Sequence, residues 1–369
     1  MRNPVFLRWI DSHFGPSLLR LISLVRGKKP LPPKFDPQEV CILKIAAIGD
    51  TVLASALIED LRKWKPSIRI TLMVGLSNRD YAKLLAGLAH VEVLDFRKPF
   101  QLLRAIRRQS YDLFIDADSW PRVSALVTSL TRSALTVGFE TSGQKRHYAF
   151  DLVVAHSKEL HELENYRNLL RILQLPAKSL PQAPGTWNPC DDNPAIVFHL
   201  WASGRKSHLK HWNFGAWTQL GISLLEDFGG TILLTGAPAD RGRNEAFLAS
   251  MPASLRSRFQ NHAGIGFADT LALLEGCRLL VSVNTGIMHV GATMGVPTVG
   301  LHGPQDALRW GPIGPRTRSV LSRSPGAGHL HLGFEYVDRV NRMEGLSVED
   351  ALRACRELVE EAPLAREAA

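Results

Sequence analysis

The sequence predicts an α/β protein built as two doubly wound, Rossmann-like halves facing a central cleft. Three observations predict it. At 369 residues, one hydrophobic core does not serve the whole chain, and two domains are expected. Apolar strand-like runs alternate with helical periodicity, the pattern of a mostly parallel sheet covered by helices. A Pro-rich stretch, "PAKSLPQAPGTWNPCDDNP" (176–194), interrupts the alternation near its middle, after which it restarts.

In order, residues 1–35 form a basic amphipathic extension and linker, 36–185 a first Rossmann-like domain, 186–345 a second, and 346–369 a C-terminal helix and tail. In the first domain "VCILKIAAIG" (40–49) is a buried strand, and "DTVLASALIEDLRKW" (50–64) follows as a helix with apolar Val52, Ala56, Leu57, Leu61 and Trp64. Strands are expected at 68–75, 91–96, 111–118 and 134–140. In the second domain, strands are expected at 195–201, 230–236 and 278–284, with helices near 214–228, 241–251 and 269–277. The last helix, "LSVEDALRACRELVEEA", opens with Ser347 and Asp350 at capping-box spacing.

The first 30 residues interleave Phe6, Leu7, Trp9, Ile10, Phe14, Leu18, Leu19, Leu21, Ile22, Leu24 and Val25 with six cations. Charges break the run too often for a spanning helix, which needs about 20 mainly apolar residues, and no signal-peptide core is present. Two short amphipathic helices broken at Gly15–Pro16 suit an anionic membrane surface. Packing on the protein's own surface is the alternative. "KKPLPPKFDP" then reads as an extended linker.

Hydrophobic residues make up 45% and charged residues 21% of the chain, ordinary for a globular protein. The 44 basic against 35 acidic residues leave +9, which suggests an anionic partner. No nucleic-acid module is visible, so no nucleic-acid partner is expected. Cys41, Cys190, Cys277 and Cys355 are scattered without metal-ligand spacing and read as free thiols in a reducing compartment.

Three loops lie at strand ends, where ligands bind in open α/β sheets. In "VSVNTGIMHVGATMGVPTVGLHGP" (281–304), a strand ends at Asn284, Thr285 and Gly286 turn the chain, and a helix bearing His289 begins. Its free amides and dipole suit a phosphate; a plain helix cap is the alternative. In "WASGRKSHLKHWNF" (201–214), Ser203, Gly204, Arg205, Lys206 and Lys210 make a loose cradle for a diphosphate, though not a P-loop; a solvated loop is the alternative. In "AAIGDTVLA" (46–54), Gly49 leaves the strand and Asp50 starts the helix, as its N-cap or as a general base.

Together these loops resemble the heptosyltransferase family of glycosyltransferases, which build the lipopolysaccharide inner core from ADP-heptose. The resemblance spans roughly 40–360 and rests on "NTGIMHVGATMGVPTVGLHGP", similar to the family's Asp-Thr-Gly-Pro-Met-His run, and on "ILKIAAIGDTVLASALIEDLRKWKP", with "VGFET" and "VNRMEGLSVEDALRA" in support. It implies the GT-B fold, with acceptor on the first domain and donor nucleotide on the second. It implies Asp50 as catalytic base, Lys210 as the donor-site lysine, Thr285, Gly286 and His289 as phosphate contacts, and Asp240 as the acid facing the ribose. Asn284 departs from the family's usual Asp and Ile287 from its Pro, which removes a negative charge beside the diphosphate.

The implied activity is inverting, metal-independent transfer of heptose from an ADP-linked donor to a lipid-linked glycan acceptor, without a cofactor. The implied location is cytoplasmic, peripheral on the inner membrane. A GT-B enzyme or epimerase using another nucleotide-sugar, and a non-catalytic scaffold binding nucleotide or lipid, remain open alternatives.

Overall fold

The computed structural model describes residues 11, 13–189, 195–204, 206–330 and 338–361. Cys190, Arg205 and the residues 1–10 of the basic extension lie outside the described residues. The chain divides into two compact units, one ending at Gln182 and the other beginning at Ala183.

The first unit holds six strands, β1 (Glu39–Lys44), β2 (Arg69–Gly75), β3 (His90–Leu94), β4 (Ser110–Asp116), β5 (Arg132–Glu140) and β6 (Leu152–Ala155). They pair in parallel in the order β3-β2-β1-β4-β5-β6. The chain runs outward from β1 to β3, then returns to lay β4 beside β1. That reversal makes the carboxyl ends of β1 and β4 the place where a ligand is expected. Side chains alternate across the sheet, so Cys41 and Leu43 face one side, where they join Phe114, Ile106 and Val127 in a core under the helices Pro99–Ile106 and Arg122–Leu130. Val40 and Ile42, also fully buried, take the other face. A parallel sheet covered on both sides needs such continuous apolar strands.

The second unit repeats the plan with β7 (Ala195–His199), β8 (Thr231–Thr235), β9 (Phe259–Asn261), β10 (Leu279–Val283), β11 (Thr298–His302) and β12 (Thr317–Leu321). Their parallel order is β12-β11-β10-β7-β8-β9, so the reversal falls between β7 and β10. The helix Phe214–Phe228 buries Trp217, whose ring stands 5.3 Å from Trp212 and 4.9 Å from Phe198. The helix Val348–Glu360 packs on it and on β11 and β12, so it belongs to this unit's core. Its start is the expected one: the Ser347 hydroxyl accepts from the Asp350 amide at 3.1 Å.

Four expectations need correction. Asp50 is not an N-cap: the helix begins at Ile48, Asp50 lies in its first turn, and Ala47 occupies the cap position. The sharp turn out of β1 therefore falls on Ala47, at φ 66°, and not on Gly49. The strand β1 ends at Lys44, earlier than the apolar run 40–49 suggests, because Ile45–Ala47 bends away before the helix begins. Finally, the edge strands β6, β9 and β12 do not stand out in the sequence, because β6 is only four residues long, β9 only three and β12 is largely polar, and their sheet neighbours define them. The buried thiols are as expected: Cys41, Cys277 and Cys355 are free.

Candidate functional site

In the first unit the ends of β1 and β4 lie level, with Leu43 opposite Asp116, and a chain of buried charge gathers there. Lys44, the last residue of β1, donates from Nζ to Asp118 Oδ1 at 2.9 Å, and the Ile45 amide donates to Asp118 Oδ2 at 2.8 Å. Asp116 closes β4 and accepts from Arg146 at 2.8 Å, both side chains fully buried. From the helix Glu162–Arg171, Glu162 and Tyr166 project one turn apart. Glu162 pairs with His156 at 3.0 Å, and the Tyr166 hydroxyl donates to Asp50 Oδ1 at 3.3 Å.

Asp50 is half-buried within this group. Burial raises its pKa above the usual carboxylate value; Lys44 and the Tyr166 hydroxyl pull it down, while Glu162 and Asp118 push it up. Burial by itself lowers Lys44, but Asp118, Asp50 and Glu162 outweigh it and keep the ammonium protonated. The turn that presents Asp50 is pinned from below. Asn78, fully buried, donates to the Lys44 carbonyl at 2.8 Å and to the Thr51 hydroxyl at 2.7 Å, and Thr51 in turn bonds the Ala47 carbonyl at 2.8 Å. A carboxylate held this way, on the first turn of a helix and with a raised pKa, has the chemistry of a general base.

In the second unit, pairing sets His199 of β7 level with Ser282 of β10 and Thr235 of β8, so three following loops emerge at one end of the sheet. After β10 the helix Gly286–Met294 begins, and the side chain of its N-cap residue, Thr285, makes no capping hydrogen bond. The Thr285 hydroxyl lies 3.2 Å from that of Ser282. Asn284 turns its amide nitrogen inward, 3.1 Å from His302 Nδ1 and 3.0 Å from the Trp310 carbonyl. The first-turn amides, Gly286 among them, thus stay unused by the residues best suited to cap them. His289 sits one turn in and is 3% exposed.

After β7, Ser203 and Gly204 are exposed, and Gly204 (φ 102°) and Lys206 (φ 52°) both take left-handed backbone. Lys206 is half-buried, and half-buried Lys210 closes the short turn Ser207–Lys210. After β8, Asp240 accepts from the Ala237 amide at 3.0 Å and from Arg243 at 3.1 Å. Arg243 stacks 4.6 Å over Trp201, and these two with His211, Phe214, Asn341 and Glu344 line a cavity of about 410 Å³. Burial, then Arg243, hold His211 down at about 4, so its ring is neutral. Burial likewise holds His199 at about 4.

Residues 100–331 match the family profile described as glycosyltransferase family 9 (heptosyltransferase), more than half of the chain. The chain belongs to glycosyltransferase family 9. It is 26% identical over 336 residues to lipopolysaccharide heptosyltransferase 1 of Escherichia coli, covering 81% of this chain and 97% of that protein. Its fold is shared with two solved structures. One is ADP-heptose lipopolysaccharide heptosyltransferase II of E. coli (TM-score 0.69, 19% identity, 87% of this chain and 98% of that one). The other is a family 9 glycosyltransferase of Veillonella parvula (TM-score 0.73, 17% identity, 88% and 98%). This family 9 chain is therefore a glycosyltransferase, with the two Rossmann-like units of the GT-B fold.

Sequence reasoning singled out Asp50 and the three second-unit loops. It missed Lys44, Asn78, Asp118, Glu162 and Tyr166 around Asp50, and Trp201 and Arg243 beside Asp240. One signal was available: a lysine at position 44 interrupts an otherwise apolar buried strand, which only a buried partner makes tolerable.

Proposed function

We propose that this enzyme transfers heptose from ADP-heptose to a lipid-linked glycan of the lipopolysaccharide core, with inversion and without a metal or other cofactor. The names of its relatives in E. coli supply the sugar, nucleotide and acceptor class. The observation that carries the mechanism is Asp50, held on the first helical turn by Tyr166 with its pKa raised.

An acceptor hydroxyl oxygen forms the new bond to the anomeric carbon of the donor. The bond from that carbon to the β-phosphate oxygen breaks, ADP departs, and the hydroxyl proton passes to Asp50. The amides of Thr285–Gly286 and the helix dipole behind them, with His289, Lys206 and Lys210, stabilise the charge that grows on the diphosphate. Ser203 and Gly204 let the loop close on the phosphates, and Asp240 faces the ribose hydroxyls. Asn284 holds the corner from within. These donors support departure of ADP without a metal ion.

The test uses the purified full chain with ADP-heptose and a deacylated core acceptor. Asp50→Ala should lower transfer at least a thousandfold, of the order that general acid–base groups contribute (about 10² to 10⁴), while ADP binding by calorimetry persists. Transfer should survive EDTA. Full activity of Asp50→Ala removes the base assignment, and rescue of chelated enzyme by magnesium removes the metal-free route. The same reading places the enzyme on the cytoplasmic side of the inner membrane, with residues 1–30 meeting its anionic surface.

A further inference from the structure

We propose that the outward face of the helix Gly15–Arg26 is a docking surface for an anionic lipid bilayer, built into the first unit as a fixed part and not as a loose tether. The helix is apolar on two sides. Leu19 points inward, fully buried with Ala125, Ala149 and Phe150. Leu18, Leu21 and Val25 recur at helical spacing on the outside, 45%, 60% and 84% exposed, with Leu24 beside them at 77%. A helix needs one apolar stripe to pack on its own domain; a second, left in water, marks an interaction surface.

The helix is held at both ends. Arg122 donates to the Asp11 carboxylate at 3.3 Å and carbonyl at 3.4 Å. Past its other end, Lys29 donates from Nζ to the Ala134 carbonyl at 2.8 Å and from its amide to Asp151 at 3.2 Å. At Gly15 the backbone runs so close to Arg122 that a Cβ would stand 2.8 Å from its Cδ. The helix that carries the exposed stripe is thus anchored to the first unit on both sides of its sequence.

Its charge selects the partner. Residues 12–35 contain no acid, and Arg20, Lys28 and Lys34 are exposed. A second copy of the face would set cations against cations, whereas anionic headgroups answer them. Neighbouring helices carry exposed apolar residues too. The helix Arg122–Leu130 contacts both this helix and Pro99–Ile106. Phe100 (89%), Leu103 (41%) and Leu130 (45%) are exposed there, beside exposed Arg104 and Arg107. Apolar residues rimmed by cations over neighbouring helices match an interfacial contact in which the side chains reach the acyl boundary.

This deepens the lipid-linked acceptor reading and rests on it for its setting, but it is tested apart from transfer. The full chain is floated with phosphatidylethanolamine vesicles containing or lacking phosphatidylglycerol, neither carrying an acceptor sugar. Binding should require phosphatidylglycerol and fall with added salt. Replacing Leu18→Ser, Leu21→Ser and Val25→Ser together should weaken partition about tenfold or more, as loss of buried apolar area demands. Phe100→Ser should weaken it further. Transfer to the soluble acceptor should be unchanged. Undiminished partition of the triple variant overturns the proposal, as does equal binding to both vesicle types. If the variant instead dissolves an oligomer while partition persists, the face belongs to a second copy and the proposal fails. Hydrogen exchange of the unmodified chain gives an answer that does not depend on the variant folding: vesicles should slow exchange over 18–25 and leave 48–64 as it was. No slowing at 18–25 is a negative result for the proposal, whatever the state of the transfer reading.

Discussion

Asp50 gains its character from residues that are neighbours only in space. Tyr166 donates to it from a helix 116 residues further on, and that hydrogen bond lowers a pKa that burial raises. Removing the donor moves the pKa further up, and a base must be ionised to act. Tyr166→Phe should therefore shift the acid limb of the kcat/KM profile to higher pH and cost about fivefold at neutral pH, as for a hydrogen bond of about 1 kcal/mol. An acid limb that stays in place or moves down would show that Tyr166 does not act on Asp50. Asn284 yields a second prediction at this scale. Its amide nitrogen serves the Trp310 carbonyl and the ring of His302, which burial drives down to about 3 and so keeps neutral. The family's usual aspartate cannot donate to either. Asn284→Asp should lose about 1 to 3 kcal/mol, the cost of leaving buried polar groups unsatisfied, and raise the pKa of His302, readable by thermal melts and by NMR titration of the imidazole.

At the scale of elements, the helix starts after β1 and β10 are built alike but held differently. Neither is capped by its own first side chain. At β1 the turn costs strain, since Ala47 adopts φ 66°, ψ 126°, a region that favours glycine. Ala47→Gly should raise stability by about 1 kcal/mol, the low end of such strain, and lower kcat by loosening the Asp50 turn. Loss of stability in chemical denaturation would show that Ala47 is not strained. Pattern alone made the helix Ile48–Trp64 legible to within two residues of its start, and the helix Phe214–Phe228 throughout, because long apolar periodicity survives any tertiary setting. The first turn itself was not legible. Whether a carboxylate there caps its helix or turns toward Tyr166 depends on where Glu162–Arg171 packs, and no local pattern encodes that.

Across the whole molecule, the two sheets share one strand order, and the proposed base in the first unit and the proposed phosphate-binding loops in the second both follow strands at the same reversal. Whatever its outer face meets, the helix Gly15–Arg26 also serves the core of the first unit. Leu19 completes an apolar cluster with Ala125, Ala149 and Phe150, so its removal uncovers a core. Deleting residues 1–30 should therefore cost at least about 1.5 to 3 kcal/mol, the value of one buried leucine, besides abolishing vesicle binding. A calorimetric scan should show the transition of the first unit shifted down, with that of the second unmoved. Unchanged melting of both would mean that the helix does not stabilise the sheet it covers.

Linear order settled the α/β class, the restart of the strand–helix pattern past the Pro-rich stretch, and the loops that hold Asp50, Lys210 and Thr285–His289. Each of these depends on residues close together in the chain: apolar period, turn chemistry, and a run of small residues before a helix. Packing decided the rest. It put Lys44 against Asp118 and Tyr166 against Asp50 across 74 and 116 residues, turned the Asn284 amide inward, and left a second apolar stripe of Gly15–Arg26 in water. Buried charges and donors must find partners wherever the fold supplies them, so their pairing is a property of the assembled sheet and helices and not of any short stretch.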